Sequence, residues 1–328
     1  MILKEMQIVA KTDGTMSEEN GSRPDCANAK ISIVVATFNR RDSLMRLLES
    51  FSKQTCPSFE IIVVSDGSTD GTVHMLHELK GHIGKLRVID AENRGPGAAR
   101  NAGARVASAD YLAFTDDDCV ASEDWLDQFL LAFEQTGAVA VQGRTTTERL
   151  SRSPLTHQME ILTPQLKTLP TCNVAYLKSA FKAVGGFDES FKFAHNEDAD
   201  LAWRIEEVGK IVFVPEAKIM HPPRPDSFWK RACWVQALEG DFLLYHKNRD
   251  KYRKYRSFSP WWNICWNIFI VGQIRMIKAN CKYLLKPFRP HYFFVGMALV
   301  AARWLNLIRF FPIYYKASNS YRKKYSGK

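Results

Sequence analysis

The sequence predicts an α/β fold: a mixed, mostly parallel sheet flanked by helices, followed by a helical, membrane-associating extension. Three observations predict it. Short β-branched or apolar runs alternate with helical stretches through the first two thirds of the chain. Each run ends in small, polar or turn-forming residues. The composition then shifts near residue 246, from acidic to strongly basic and aromatic.

The 328 residues leave room for about two domains of ordinary size. The seven cysteines are scattered without a C-x-x-C pair, which fits a reducing compartment better than a disulfide framework or a zinc site. Residues 1–29 mix charges with Gly, Ser, Asn and Pro and predict a disordered tail. They show no apolar core or small-residue cleavage site of a secretory signal. Residues 247–328 hold 18 Lys/Arg and a single acid, Asp250, a net of +17 against +10 for the whole chain. The preceding part is therefore acidic, and two functions are segregated along the chain.

Taken in order, Ile31 to Ala36 reads as a buried strand and ends at Thr37-Phe38-Asn39-Arg40. A helix follows with Leu44, Leu47, Leu48 and Phe51 on one face. Phe59 to Val64 is a second buried strand, which makes a βαβ unit and a parallel pair. It runs into Ser65-Asp66-Gly67-Ser68-Thr69-Asp70-Gly71-Thr72, small residues where open α/β sheets bind ligands. Leu86 to Ile89 is a third strand. Asn93-Arg94-Gly95-Pro96-Gly97 then leads into an Ala-rich helix, with Arg94 and Arg100 available to an anion or a base.

The next strand, Tyr111 to Phe114, delivers Asp116, Asp117 and Asp118. Three adjacent carboxylates repel one another. A divalent cation such as Mn2+ or Mg2+, which takes oxygen ligands, would relieve that repulsion. An acidic helix start is the alternative. Further on, Trp125 to Phe133 is helical, Val139 to Gly143 and Thr171 to Tyr176 read as strands, and the polar stretch 144–170 reads as a mobile loop. Asn196-Glu197-Asp198 opens a helix with Leu201, Ile205 and Val208 on one face. Ile211 to Pro215 is a late strand leading to His221.

The successive words Val-Val-Ala-Thr-Phe-Asn-Arg, Val-Val-Ser-Asp-Gly-Ser-Thr-Asp-Gly-Thr, Asn-Arg-Gly-Pro-Gly-Ala-Ala-Arg-Asn-Ala-Gly and Phe-Thr-Asp-Asp-Asp resemble the signatures of family-2 glycosyltransferases with the Rossmann-like GT-A fold. The resemblance covers about residues 30–225, with 30–120 as nucleotide-binding half and 121–225 as acceptor half. It implies a nucleotide-sugar donor (a UDP-sugar above all), a Mn2+ or Mg2+ ion and inverting transfer. It implies donor contacts at Thr37, Asn39, Asp66, Arg94, Arg100, Asp116 and Asp117. It places the metal at Asp118, with Asp116 near ribose or metal and His221 as a further metal or phosphate ligand. It points to Asp198 as the base that takes the acceptor proton, with Glu197 as alternative. A sugar-nucleotide pyrophosphorylase would want a Gly-rich, Arg-Lys loop after the first strand, which Thr37-Phe38-Asn39-Arg40 does not supply. A non-catalytic nucleotide-sugar-binding scaffold is the third reading; intact Asp118 and Asp198 argue against it.

Residues 226–328 predict a basic, aromatic-rich helical extension. Ser257 to Ile274 is free of charge but holds Asn263, Asn267 and Gln273, and the run from Pro290 stops after 13 residues at Arg303. Spanning a bilayer takes about 20 apolar residues, so the first is borderline and the second short. Trp261, Trp262, Trp266 and Trp304 among many Lys/Arg fit helices in the headgroup region on the cytoplasmic side, with a buried helical domain or an oligomer interface as the alternative. No nucleic-acid-binding motif is present. Processive family members carry Q-x-x-R-W, but Val300 stands where that Gln would precede Arg303-Trp304. The expectation is a single-addition enzyme acting on a glycan or lipid-linked acceptor, in cell-surface polysaccharide or glycolipid synthesis.

Overall fold

The expected strands form as Ile31–Thr37 (β1), Phe59–Asp66 (β2), Leu86–Ala91 (β3) and Tyr111–Asp116 (β4). This architecture comes from a computed structural model that describes residues 29–83, 85–148, 153–285 and 289–325. The expected tail, 1–29, lies outside the described residues but for Ala29. β1 pairs in parallel with β2 and β4, and β2 in parallel with β3. β2 is buried at every position, which is why it reads as an almost unbroken apolar run.

Three helices connect these strands: Arg41–Ser52 (α1), Thr72–Lys80 (α2) and Pro96–Val106 (α3). α1 buries Leu44, Leu47, Leu48 and Phe51, the face that its spacing predicts. α3 approaches the sheet closely through Gly103, where a Cβ would lie 2.5 Å from Val34 Cγ1. Pro96 opens α3, a position where its missing N–H is not needed.

The chain continues through Val120–Ala121 (β5), Trp125–Thr136 (α4), Ala140–Thr146 (β6), Thr156–His157 (β7), Asn173–Leu177 (β8), Lys178–Ala183 (α5), Glu197–Ile205 (α6), Ile211–Met220 (β9) and Arg224–Pro225 (β10). One eight-stranded sheet results, in the order β3-β2-β1-β4-β8-β6-β9-β5. β8 runs antiparallel to both β4 and β6, β9 runs parallel to β6, and β5 pairs antiparallel with β9. The sheet is mixed, as expected. The β6–β9 register shifts at Gly143/Arg144, where a Cβ on Gly143 would meet Ala217 O and the Asn173 amide.

One helical expectation needs correction. α6 stops at Ile205, so Val208 falls beyond it and is exposed rather than on the buried face with Leu201. The chain turns there because Gly209 packs against Val139, leaving no room for a Cβ.

Two compact units make up the chain. The described part of the first is 29–83, 85–148, 159–190 and 197–222, which holds the large sheet. The second takes 153–158, 191–196, 223–285 and 289–325. Its β7 and β10 pair antiparallel. Its helices are Phe228–Cys233 (α7), Glu239–Lys247 (α8), Arg249–Tyr255 (α9), Pro260–Trp262 (α10), Gln273–Cys281 (α11) and Pro290–Tyr325 (α12), with a 3-10 turn at Trp234–Leu238 and a π-helical stretch at Asn263–Gly272. Val235, Leu238, Phe242, Ile264, Phe269, Phe310 and Tyr314 form its core. The charge-free run from Pro290 lies within a longer helix. α12 continues through Arg303 for 36 residues, long and apolar enough to cross a membrane by length and composition. Arginine is a good helix former, and the Arg303 guanidinium finds polar and aromatic neighbours instead of ending the helix.

A buried carboxylate in β2 gives the first unit a pH dependence. Glu60 is fully buried and accepts from Ser32 Oγ at 2.7 Å, Ser108 Oγ at 2.7 Å and Arg87 Nη1 at 3.4 Å. Burial pushes its carboxyl up, but the bonds from Ser108, Ser32 and Arg87 outweigh it and hold it below the usual range. Its contribution is therefore present above the unfolded value and is lost as pH falls through the lower, folded one. Glu60→Gln is expected to cost about 1–3 kcal/mol at neutral pH by urea unfolding. The gap between variant and wild type should close in acid; a gap independent of pH would contradict the assignment.

Candidate active site

Parallel strands place their C-terminal ends together, and three of them supply the polar cluster of the first unit. Thr37 ends β1, Asp66 ends β2 and Asp116 ends β4. In register, Asp116 stands opposite Ala36, and Thr37 opposite Ser65.

The loops after β1 and β2 are stitched to each other. Asn39, in the left-handed region at φ 53°, accepts from the Thr69 amide at 2.7 Å and donates its own amide to Ser68 Oγ at 3.1 Å. Asp66 accepts from the Arg94 and Gly95 amides at 2.8 and 3.0 Å, which ties the end of β2 to the turn before α3. That turn needs Gly95, whose φ is 94°. Asn39 and Asp66 thus shape the loops of the expected donor site.

The three carboxylates have separate partners. Asp116 Oδ1 takes Arg100 Nη2 at 3.1 Å, and Arg100 Nη1 reaches Glu197 Oε1 at 3.3 Å. Arg100 is buried; its charge is disfavoured by burial, but Asp116 and Glu197 outweigh this and hold it above its ordinary value. Asp117 accepts from Thr37 Oγ1 at 2.7 Å and from Arg40 Nη1 at 2.8 Å. Burial pushes the Asp117 carboxyl up to about 6 against the pull of Arg40 and Thr37. Asp118 Oδ2 lies 2.7 Å from the same Arg40 nitrogen, and its Oδ1 lies 3.3 Å from His221 Nε2.

Arg40 is the residue that sequence reasoning missed. It bridges two buried carboxylates, and removing it would leave both charges without their shared cation. The available signal was its place directly after Asn39 at a strand end.

His221 reaches Asp118 because β5 pairs with the last residues of β9, Val120 opposite Met220. The His221 amide donates to Thr146 O at 2.8 Å. Its Nδ1 lies 3.3 Å from Pro222 O, which directs Nε2 toward Asp118. Asp118, Cys119 and His221 form a group with ligand atoms within 4.8 Å of one another. The Cys119 thiol is pushed up by burial and stays protonated, a poor ligand. A carboxylate oxygen with an imidazole nitrogen fits Mn2+ better than Mg2+, which prefers oxygen alone. Asp116, also expected at the metal, faces Arg100 and is not in this group.

The remaining expected residues divide by burial. Glu197 is buried against Arg100, whereas Asp198 is half-buried, with Oδ1 taking the Ala199 amide at 2.7 Å. Asp198 still acts on this cluster, since its charge helps to raise both the Arg100 guanidinium and the Tyr176 hydroxyl. Arg94 points to Glu189, at 2.8 Å. Arg204 pairs with Asp200 at 2.9 Å and donates to Gly186 O at 2.8 Å, which fixes α6 to the Gly185-Gly186 turn. Asn101 clamps the same turn through both its amide atoms on the Phe187 backbone, at 2.8 and 2.9 Å.

Known proteins are similar to this chain in sequence and in fold. A chain similar in sequence is "Glycosyltransferase AglE" of Haloferax volcanii, 27% identical over 210 residues, covering 60% of this chain and 67% of that one. Among solved structures, mannosyltransferase PcManGT from Pyrobaculum calidifontis in complex with GDP-Man and Mn2+ is similar, with a TM-score of 0.55, 17% identity and 93% coverage of both chains. S. aureus TarS 1-349 in complex with UDP-GlcNAc has a TM-score of 0.55 at 16% identity, covering 90% of this chain and 92% of that one. These two likenesses show the GT-A fold. The profile described as "Glycosyl transferase family 2" matches residues 32–187, and that region of the chain is similar to this family.

Proposed function

We propose that the chain is an inverting transferase. It moves a sugar from a nucleoside diphosphate donor, a UDP-sugar above all, to a hydroxyl of a glycan or lipid-linked acceptor. The reading places it in cell-surface polysaccharide or glycolipid synthesis, on the cytoplasmic side of a membrane that the second unit contacts. The observation that carries it is the convergence of Thr37, Arg40, Arg100, Asp116, Asp117, Asp118 and His221 at the ends of β1, β4 and β9 and the start of α3. The TarS complex with UDP-GlcNAc and the PcManGT complex with GDP-Man and Mn2+ support a sugar nucleotide as donor.

Asp118 and His221 would hold a Mn2+ or Mg2+ ion, which when bound supplies Lewis-acid neutralisation of the departing diphosphate. Asp116 and Thr37 would face the nucleoside, with Asn39 and Asp66 holding the loops around it. Asp198 would take the proton of the acceptor hydroxyl as its oxygen attacks the anomeric carbon. The bond to the diphosphate breaks, and its electron pair leaves with the nucleoside diphosphate. Glu197, buried and tied to Arg100, would position that helix turn rather than exchange protons with an acceptor. The apolar length of α12 and the surplus of Lys/Arg support contact with an anionic membrane.

A screen of sugar nucleotides by thermal unfolding, with and without Mn2+, tests this reading. One donor should stabilise the protein only when Mn2+ is present, by about 2.7 kcal/mol at a hundredfold excess over its dissociation constant. Indifference to every sugar nucleotide would remove the proposal.

A further inference from the structure

We propose that the second unit contains a phosphate-binding site for a lipid phosphomonoester, built by Arg231 and Arg303 with Arg224 and Lys230 beside them. The proposal deepens the membrane reading above and rests on it.

Three cations gather here around one carboxylate, and a fourth joins them through Arg231. Asp226 lies 3.6 Å from Arg224 Nε, 3.2 Å from Lys230 Nζ and 3.5 Å from Arg231 Nη1. Arg303 joins them from the middle of α12. Its Nε donates to the Arg231 carbonyl oxygen at 3.2 Å, and it feels the Arg231 charge. Its other neighbours are Met276 Sδ at 3.2 Å and the Trp234 ring, 5.9 Å to the centroid. No carboxylate pairs with Arg303 among the described residues. Arg231 and Arg303 bring two guanidinium groups together beside the single carboxylate of Asp226, so positive charge is in surplus between them. His157, whose charge also acts on Asp226, adds to the surplus when protonated.

A surface patch of this sign would normally dissipate in water. This one is partly enclosed: the Arg231 side chain is 21% exposed, and its Nε is buried without a hydrogen-bond partner. Folding gains nothing by bringing like charges together there. An anion with several oxygens relieves the repulsion and satisfies the guanidinium forks, which match phosphate geometry.

The surroundings select a lipid rather than a soluble phosphate. Arg303 is the one Lys or Arg in the apolar first half of α12, residues 290–307, a position that marks a functional partner. Phe294, Leu305 and Ile308 on the same helix, and Trp229 on α7, are exposed large apolar side chains. They offer an acyl or isoprenoid chain the contact that inorganic phosphate would not use.

The experiment is co-sedimentation of the full chain with phosphatidylcholine vesicles carrying either phosphatidic acid, a phosphomonoester, or phosphatidylglycerol, a diester. Wild type should prefer phosphatidic acid by about tenfold. Arg231→Gln and Arg303→Gln should each erase most of that preference. Arg303→Lys, which keeps the charge without the fork, should retain part of it and covers the case in which Arg303→Gln fails to fold. The control Lys316→Gln/Arg322→Gln removes two charges elsewhere on α12; it should weaken binding to both vesicles alike and leave the ratio unchanged. Equal binding of wild type to both vesicles would overturn the site while membrane association stands. Binding to neither would remove both readings. An undiminished preference in the double variant Arg231→Gln/Arg303→Gln would also overturn the site. Inorganic phosphate supplies the last arm: if it abolishes the preference and raises the unfolding temperature of wild type without vesicles, the ligand is soluble phosphate and the lipid assignment falls.

Discussion

Asp118→Ala is expected to lower kcat by about 10³-fold or more with Mn2+ present, while the protein stays folded. The geometry explains why both halves of that result belong together. Asp118 gives one oxygen to Arg40 at 2.7 Å and the other to His221 at 3.3 Å. Without it, the carboxylate–imidazole pair is gone. Arg40 keeps Asp117 at 2.8 Å, so its guanidinium retains a partner and the unfolding midpoint should move little. Calorimetry with Mn2+ should show binding to wild type and none to the variant. An Asp118→Ala enzyme with wild-type turnover in Mn2+ would take the metal away from this carboxylate.

Asp198→Asn is expected to bind donor as wild type does and to lose about 10²–10⁴-fold in kcat. The amide keeps the size of the side chain and can still accept from the Ala199 amide, which lies 2.7 Å from Oδ1 in the wild type. It cannot take a proton from an attacking hydroxyl. Glu197→Gln separates the neighbouring candidate. Glu197 is buried beside Arg100 at 3.3 Å, so its neutralisation weakens a buried ion pair and should lower stability. Single-turnover rates at saturating donor, beside unfolding midpoints, distinguish the two. Normal turnover in Asp198→Asn, with turnover lost in a folded Glu197→Gln, would move the base one residue back.

Much of the fold was legible in the sequence, for a physical reason. Strands β1 and β2 are buried on both faces, so their residues must be apolar almost throughout, and that run is visible as such. The ends of β1, β2 and β4 carry Thr37, Asp66 and Asp116, which stand out as small polar groups and crowded carboxylates after buried runs. Other features escaped because they depend on contacts remote in sequence. Val208 continues the helical spacing of α6, but the helix has already ended where Gly209 meets Val139. Arg303 ends an apolar run on paper; in space it lies against the Arg231 carbonyl and the Trp234 ring, and α12 continues past it.

Sequence alone determined the alternation of buried strands and helices, the family signatures and the charge segregation along the chain. Each is set by local pattern, by what a buried run or a strand end must contain. Tertiary structure alone decided which charges meet. Arg40 binds Asp117 and Asp118 across about 80 residues, and His221 reaches Asp118 only because β5 pairs with β9. Coulomb interactions depend on distance in space, and chain separation carries no record of that distance.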